Sequence, residues 1–357
     1  MTCVARTSGG KVHRRVSTKR RTDQNVHEAP NIDDSHPPFV STGSLPPSTQ
    51  VQAWVDEALA TFADDDAGAL SDVYPLLAQV DADQFGICLV AADGRVYAAG
   101  DVDATCSIMS VSKPFVFAAM CDAIGADEAL ARIGANATGL AFNSLEAIEQ
   151  HDGATNPMVN AGAIVTTSLT PGSSTDERWD FLHTTLSRFA GRTLELDEDL
   201  LASARATNVR NREIAQRLDR HGRLAMDPLE AVDLYTMQCS LRVSARDLAV
   251  MGATLADGGV NPVTGDAVVD ARTCHHALAA MLTAGMYETS GEWLHRVGLP
   301  AKSGIGGGIV TVSPGKGGMG TVAPRLDEAG NSVRGQHVAR YLSERLGLNL
   351  LGSQPAA

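Results

Sequence analysis

Apolar residues recur three and four positions apart over residues 51–62, VQAWVDEALATF, a spacing that predicts an amphipathic helix. Residues 85–101, FGICLVAADGRVYAAGD, read instead as two strands broken at Asp93-Gly94, the composition of a hairpin turn. After Ser110 the chain becomes Ala-rich and helical in character for more than a hundred residues. Strand signals return at 306–324, GGGIVTVSPGKGGMGTVAP, and GQHVARYLSERLG, residues 335–347, closes the pattern as an amphipathic helix. Two end segments that pair into one mixed sheet layer around a helical insertion give an α/β (α+β) architecture. The sheet layer is expected from about 49–123 and 295–350, and the helical section from about 124–294. Residues 1–48 are rich in Ser, Thr, Pro and charge and end in SLPPST, so they read as a tail. One domain is expected over 49–352, with a second short tail at 353–357.

Composition narrows the class. With 357 residues, 44% of them hydrophobic, the chain can bury its own core. Residues 1–22 hold seven cations and no acid, so against a total of −13 the rest of the chain carries −20. A body that acidic disfavours nucleic acid as a partner. No apolar run approaches the roughly 20 residues of a membrane span, and the N-terminus lacks the apolar middle of a secretory signal. A cytoplasmic protein with no membrane partner is expected. The six cysteines show no C-x-x-C spacing and fall mostly in apolar segments, which points to reduced, buried thiols. His275 and His276 are adjacent, poor spacing for a shared ion on a helix, and no metal is expected.

Candidate chemistry gathers in CSIMSVSKPF, residues 106–115. The chain has only five lysines, and outside the tail they are Lys113, Lys302 and Lys316. Lysine differs from arginine in being able to lose its proton when buried. Proline is tolerated only in the first turn of a helix, so Pro114 places the helix start three or four residues upstream, at Ser110. The Ser110 hydroxyl would then sit at the positive end of the helix dipole, near free backbone N–H groups. Lys113, at i+3, shares its face, whereas Ser112 points elsewhere. A serine hydroxyl is not a nucleophile at neutral pH until a neighbour takes its proton, and a buried lysine is suited to that task. S-x-x-K alone is a weak signal, but Lys302-Ser303-Gly304, at the entrance to the returning strands, resembles the K-T-G element that accompanies it in penicillin-recognising serine enzymes. The S-x-N or Y-x-N element of those enzymes is absent from the chain, which argues against a standard β-lactamase or transpeptidase.

Longer blocks are more specific. SVSKPF, IGANATGLAFNS, NPMVNAGAIVTTSL, AGMYETSGEW, VGLPAKSGIGGGI and LDEAGNSVRG, in that order between about residues 70 and 350, resemble the serine-dependent glutaminases. The resemblance implies a β-lactamase/transpeptidase-like fold, hydrolysis of L-glutamine to L-glutamate and ammonia, no cofactor, and a homotetramer. It implies that Ser110 is the nucleophile, Lys113 its base and Tyr287 the group that passes a proton to the leaving ammonia. Backbone N–H groups of Ser110 and Ile305 would hold the oxyanion, and Asn160, Asn211 and Tyr235 the amino-acid end of the substrate. Two positions depart from the family pattern: Ala204 stands where a glutamate meets the substrate ammonium, and Val73, with Tyr74 one place later, stands for a tyrosine. These exchanges leave open a related serine amidohydrolase with a different amide substrate, or a non-catalytic ligand-binding paralogue.

Overall fold

The computed structural model of the chain describes residues 45–353. The expected tails, 1–48 and 353–357, lie outside the described residues apart from 45–48 and 353. The first helix spans Ser48–Phe62, three residues longer at its start than the apolar spacing predicts. The predicted hairpin forms from β1 (Gly86–Ala91) and β2 (Val96–Gly100), with Gly94 at φ 82° in its turn.

Two further strands are too short to show any alternation: β3 (Cys106–Ser107) and β4 (Glu195–Leu196) flank β5 (Leu241–Val243) in a small three-stranded sheet that the sequence pattern did not predict. β6 (Ala301–Ser303), β7 (Gly308–Ser313) and β8 (Gly317–Val322) complete the main sheet, whose order is β2-β1-β8-β7-β6. β1 from the front of the chain therefore lies against β8 from its end, with Gly86 opposite Val322, and this pairing closes the helical insertion. Every strand pairing among the described residues is antiparallel, which corrects the mixed sheet expected from sequence. The tight turns at 92–95 and 314–316 fix this direction for β1 with β2 and for β7 with β8, because parallel neighbours need a long crossover.

The sheet is buried on both faces, and strand alternation sorts its side chains into two cores. Ile87, Leu89, Ile309 and Met319 meet Val51 and Val55 of the first helix and Val338 and Leu342 of the Val333–Leu346 helix. Cys88, Val90, Val310 and Val312 face the other way, into the core of the helical section. There the Ala245–Ala256 helix lies directly on β8. Its close approach depends on two glycines: a Cβ on Gly318 would come within 2.2 Å of the Ala253 nitrogen, and one on Gly320 within 2.1 Å of the Ala245 oxygen. The glycine-rich GGMGTV strand is thus a docking face for a helix.

The helix expected to begin at Ser110 begins later. Met109–Ser112 form a single 3₁₀ turn and the α-helix proper is Lys113–Ile124, with Pro114 in its first turn. Proline fixes the helix start from one side only; upstream of it the tighter i to i+3 turn is equally compatible with a missing N–H.

Candidate active site

Ser110 sits where β3 turns into the Lys113–Ile124 helix, at the edge of a cavity of about 130 Å³. The residue before it, Met109, has φ 45°, a left-handed conformation that a side-chain-bearing residue rarely adopts. Bonds on both sides hold it: before it the Ile108 N–H donates to the Leu241 carbonyl at 2.9 Å and the Ser107 hydroxyl to the Cys239 carbonyl at 2.8 Å, and after it the Ser112 hydroxyl donates to the Met109 carbonyl at 2.9 Å. Tyr287 is likewise held at φ 54°, so two of the three non-glycine residues with positive φ among the described residues meet at this site.

The Ser110 hydroxyl contacts the Tyr287 phenol, which also donates to the Ser303 carbonyl at 3.2 Å. Burial pushes the phenol's pKa up, opposed by that serine contact. Lys113 is 1% exposed and makes no ion pair among the described residues. Its amine donates to Asn160 Oδ1 at 2.8 Å and to the Met158 carbonyl at 3.3 Å, both neutral acceptors. Burial without a carboxylate lowers its pKa to about 8. Ser110 and Lys113 share a turn as expected, but the hydroxyl faces Tyr287 and the amine faces Asn160. Ser112 does point elsewhere: its hydroxyl donates to the Met109 carbonyl at 2.9 Å and accepts from Gln238.

Asn160 links the remaining residues. It opens the Asn160–Ser168 helix, donates through Nδ2 to Asn211 Oδ1 at 2.9 Å, and accepts from the Tyr235 hydroxyl at 3.3 Å. Asn211 projects from the first turn of the Val209–Arg220 helix and Tyr235 from the Pro228–Cys239 helix. Three helices thus converge on one cavity through side chains that already hydrogen-bond one another. Ile305 completes the opposite wall. Its turn is closed by bonds from Gly304 N to the Gly308 carbonyl and from Gly307 N to the Gly304 carbonyl, neither of which uses the Ile305 amide. Gly306 lets this turn press on the serine strand, since a Cβ there would lie 2.5 Å from the Ser107 oxygen.

Three residues at the site were given no role from sequence. Lys302 is fully buried, its amine 4.2 Å from the centre of the Tyr287 ring and bonded to the Gly285 and Ser303 carbonyls. Burial, reinforced by the charge of Lys113, lowers its pKa. Cys239 lines the cavity and hydrogen-bonds Tyr235; their i, i+4 spacing on one helix face is the signal that would have found it. Tyr74 enters the cavity beside Val73, so the tyrosine displaced by one place in sequence still reaches the site. Among the described residues no three His, Cys, Asp or Glu side chains converge as metal ligands, and no helix is long and apolar enough to cross a membrane.

The glutaminase family model matches residues 68–351 of the chain. Glutaminase 2 of Yersinia pestis is 61% identical over 318 residues, covering 89% of this chain and 94% of that protein. A glutaminase of Brucella suis is 44% identical over 304 residues, covering 85% and 96%. Among solved structures, that of the probable glutaminase ybaS superposes with a TM-score of 0.85 at 41% identity, covering 86% of this chain and all of that one. The structure of Mglu in its glutamate form gives a TM-score of 0.81 at 36% identity, over 85% of this chain and 70% of that one.

Proposed function

The chain belongs to the glutaminase family, whose members are amidohydrolases, and on that premise we propose that it hydrolyses the side-chain amide of L-glutamine to L-glutamate and ammonia, with Ser110 as nucleophile. The observation that carries this reading is a lysine buried without a carboxylate, one turn from a serine that directly follows the left-handed residue Met109. Such a lysine is neutral in an appreciable fraction near neutral pH and can accept a proton, which an exposed lysine cannot.

The Ser110 oxygen attacks the carboxamide carbon, and its proton passes to the Lys113 amine, directly or through the Tyr287 phenol that touches it. The backbone N–H groups of Ser110 and Ile305 meet the negative charge that develops on the amide oxygen. As the C–N bond breaks, Tyr287 delivers a proton to the leaving nitrogen, which departs as ammonia and leaves a glutamyl ester on Ser110. Tyr287 recovers its proton from Lys113, which is left neutral again; water then attacks the ester carbon as it loses a proton to that base, and the proton returns to the Ser110 oxygen as the ester bond breaks and glutamate leaves. Asn160, Asn211 and Tyr235 hold the amino-acid end of the substrate, and a glutamate form is known for the related Mglu. The cycle needs no cofactor. A cytoplasmic homotetramer belongs to the same proposal, and light scattering would test it against the 37.4 kDa monomer.

The test is ammonia release from L-glutamine by wild type and by Ser110→Ala. A loss on the order of 10⁴-fold or more in a folded variant is expected; retained turnover would remove the mechanism.

A further inference from the structure

A substrate whose amide lies at Ser110 must place its other end among Ala204, Thr207, Asn208, Asn211 and Thr236, the far lining of the same cavity. No carboxylate lines that cavity among the described residues, and its one charged side chain is a cation, Arg210. The acids nearest in the fold are committed elsewhere. Asp233 pairs with Arg205 at 2.7 Å, Glu213 with Arg210 at 3.2 Å, and Glu288 accepts from the Phe142 N–H at 2.9 Å. Glu198, in the first turn of the Glu198–Thr207 helix, is exposed and does not line the cavity.

Two of the neutral acceptors are engaged, and the others offer no charge. Asn211 Oδ1 accepts from Asn160, and Thr236 Oγ1 accepts from Asn208 while donating to the Val232 carbonyl. Ala204, 2% exposed, contributes only a methyl group to this lining. An ammonium brought here loses water and meets no opposite charge, which is costly. A carboxylate, in contrast, meets Arg210, whose Nε binds the Asn143 carbonyl at 3.0 Å and whose Nη1 meets the half-exposed Glu213 at 3.2 Å, so the substrate carboxylate competes with Glu213 for this cation.

We propose that the site selects ω-amides that keep an α-carboxylate but carry no charged α-nitrogen, such as N-acylated glutamine or the monoamide of glutaric acid, over the free amino acid. The inference rests on the amidohydrolase reading above and deepens it by naming the substrate class. Ala204 is its specificity-determining residue.

The experiment compares kcat/KM for ammonia release from L-glutamine, N-acetyl-L-glutamine and glutaric acid monoamide, in wild type and in Ala204→Glu. A charge-assisted hydrogen bond is worth about tenfold to a hundredfold in affinity, so the two uncharged substrates should exceed L-glutamine in wild type by that factor, chiefly through KM. Ala204→Glu should lower KM for L-glutamine by at least about tenfold and raise it for N-acetyl-L-glutamine. If the added carboxylate prevents folding, the wild-type comparison alone decides. A wild-type preference for L-glutamine overturns the inference and leaves the hydrolase reading standing. Absence of ammonia from all three substrates removes both.

Discussion

Asn160→Asp keeps the shape of the site and adds one negative charge, so it probes the protonation of Lys113 directly. Asn160 Oδ1 lies 2.8 Å from the Lys113 amine, which has only neutral partners in the native site. Unit charges about 4 Å apart interact by about 4 kcal/mol at an effective dielectric of about 20, and one pH unit corresponds to about 1.4 kcal/mol. Part of that energy is lost to desolvating the new carboxylate, which leaves an upward displacement of the lysine pKa by about one to three pH units. The base must be neutral to act. In wild type, kcat/KM should therefore rise with pH through a midpoint near the lysine's value of about 8. In Asn160→Asp that midpoint should move upward, so activity at neutral pH falls about tenfold for each unit moved and returns under alkaline conditions. The assay is ammonia release at subsaturating substrate between about pH 6 and pH 10. Loss of substrate binding alone would lower the whole profile without displacing it. An unmoved midpoint, or a flat wild-type profile, would refute the assignment of Lys113 as the base.

Ser112→Ala, which removes a buried hydroxyl bonded to Met109 and Gln238 that does not itself line the cavity, should lower kcat by no more than a fewfold; a loss comparable to Ser110→Ala would mean the wrong serine has been assigned. Ile305→Val should be nearly neutral in kcat/KM, because only its backbone amide is used. Gly306→Ala forces the 304–307 turn off Ser107 and should cost about a hundredfold in kcat, since misplacing an oxyanion donor by about an ångström has that effect. Equal kinetics for Gly306→Ala and wild type would exclude that turn from the reaction. Phe115→Ala opens a hole at a fully buried position and should destabilise the fold by about 3–5 kcal/mol, read by chemical denaturation; a change below about 1 kcal/mol would show that the core refills.

The parts legible in the sequence are those written in local pattern. The hairpin at Asp93-Gly94, the first helix and the closing helix follow from local pattern, and Pro114 locates the serine to within a turn. β3, β4 and β5 were hidden because two or three residues cannot display a period, yet β5 carries the Leu241 carbonyl that, with the Cys239 carbonyl at the end of the preceding helix, holds the chain before Ser110. The docking of the Ala245–Ala256 helix on β8 was hidden as well, since glycines in a strand read as weakness until the helix against them is known. At the site, residue types could be named from sequence but their bonds could not. The partnership of Lys113 with Asn160 spans 47 positions, and only the fold brings the two together.

The most direct measurement is intact-protein and peptide mass spectrometry after rapid acid quench of enzyme turning over a saturating amide substrate. A mass gain of one acyl group, located on the peptide that contains Ser110 and absent from Ser110→Ala, is expected. The same gain on another residue, or steady turnover by Ser110→Ala with no acylated species at all, would contradict the assignment of Ser110 as the nucleophile.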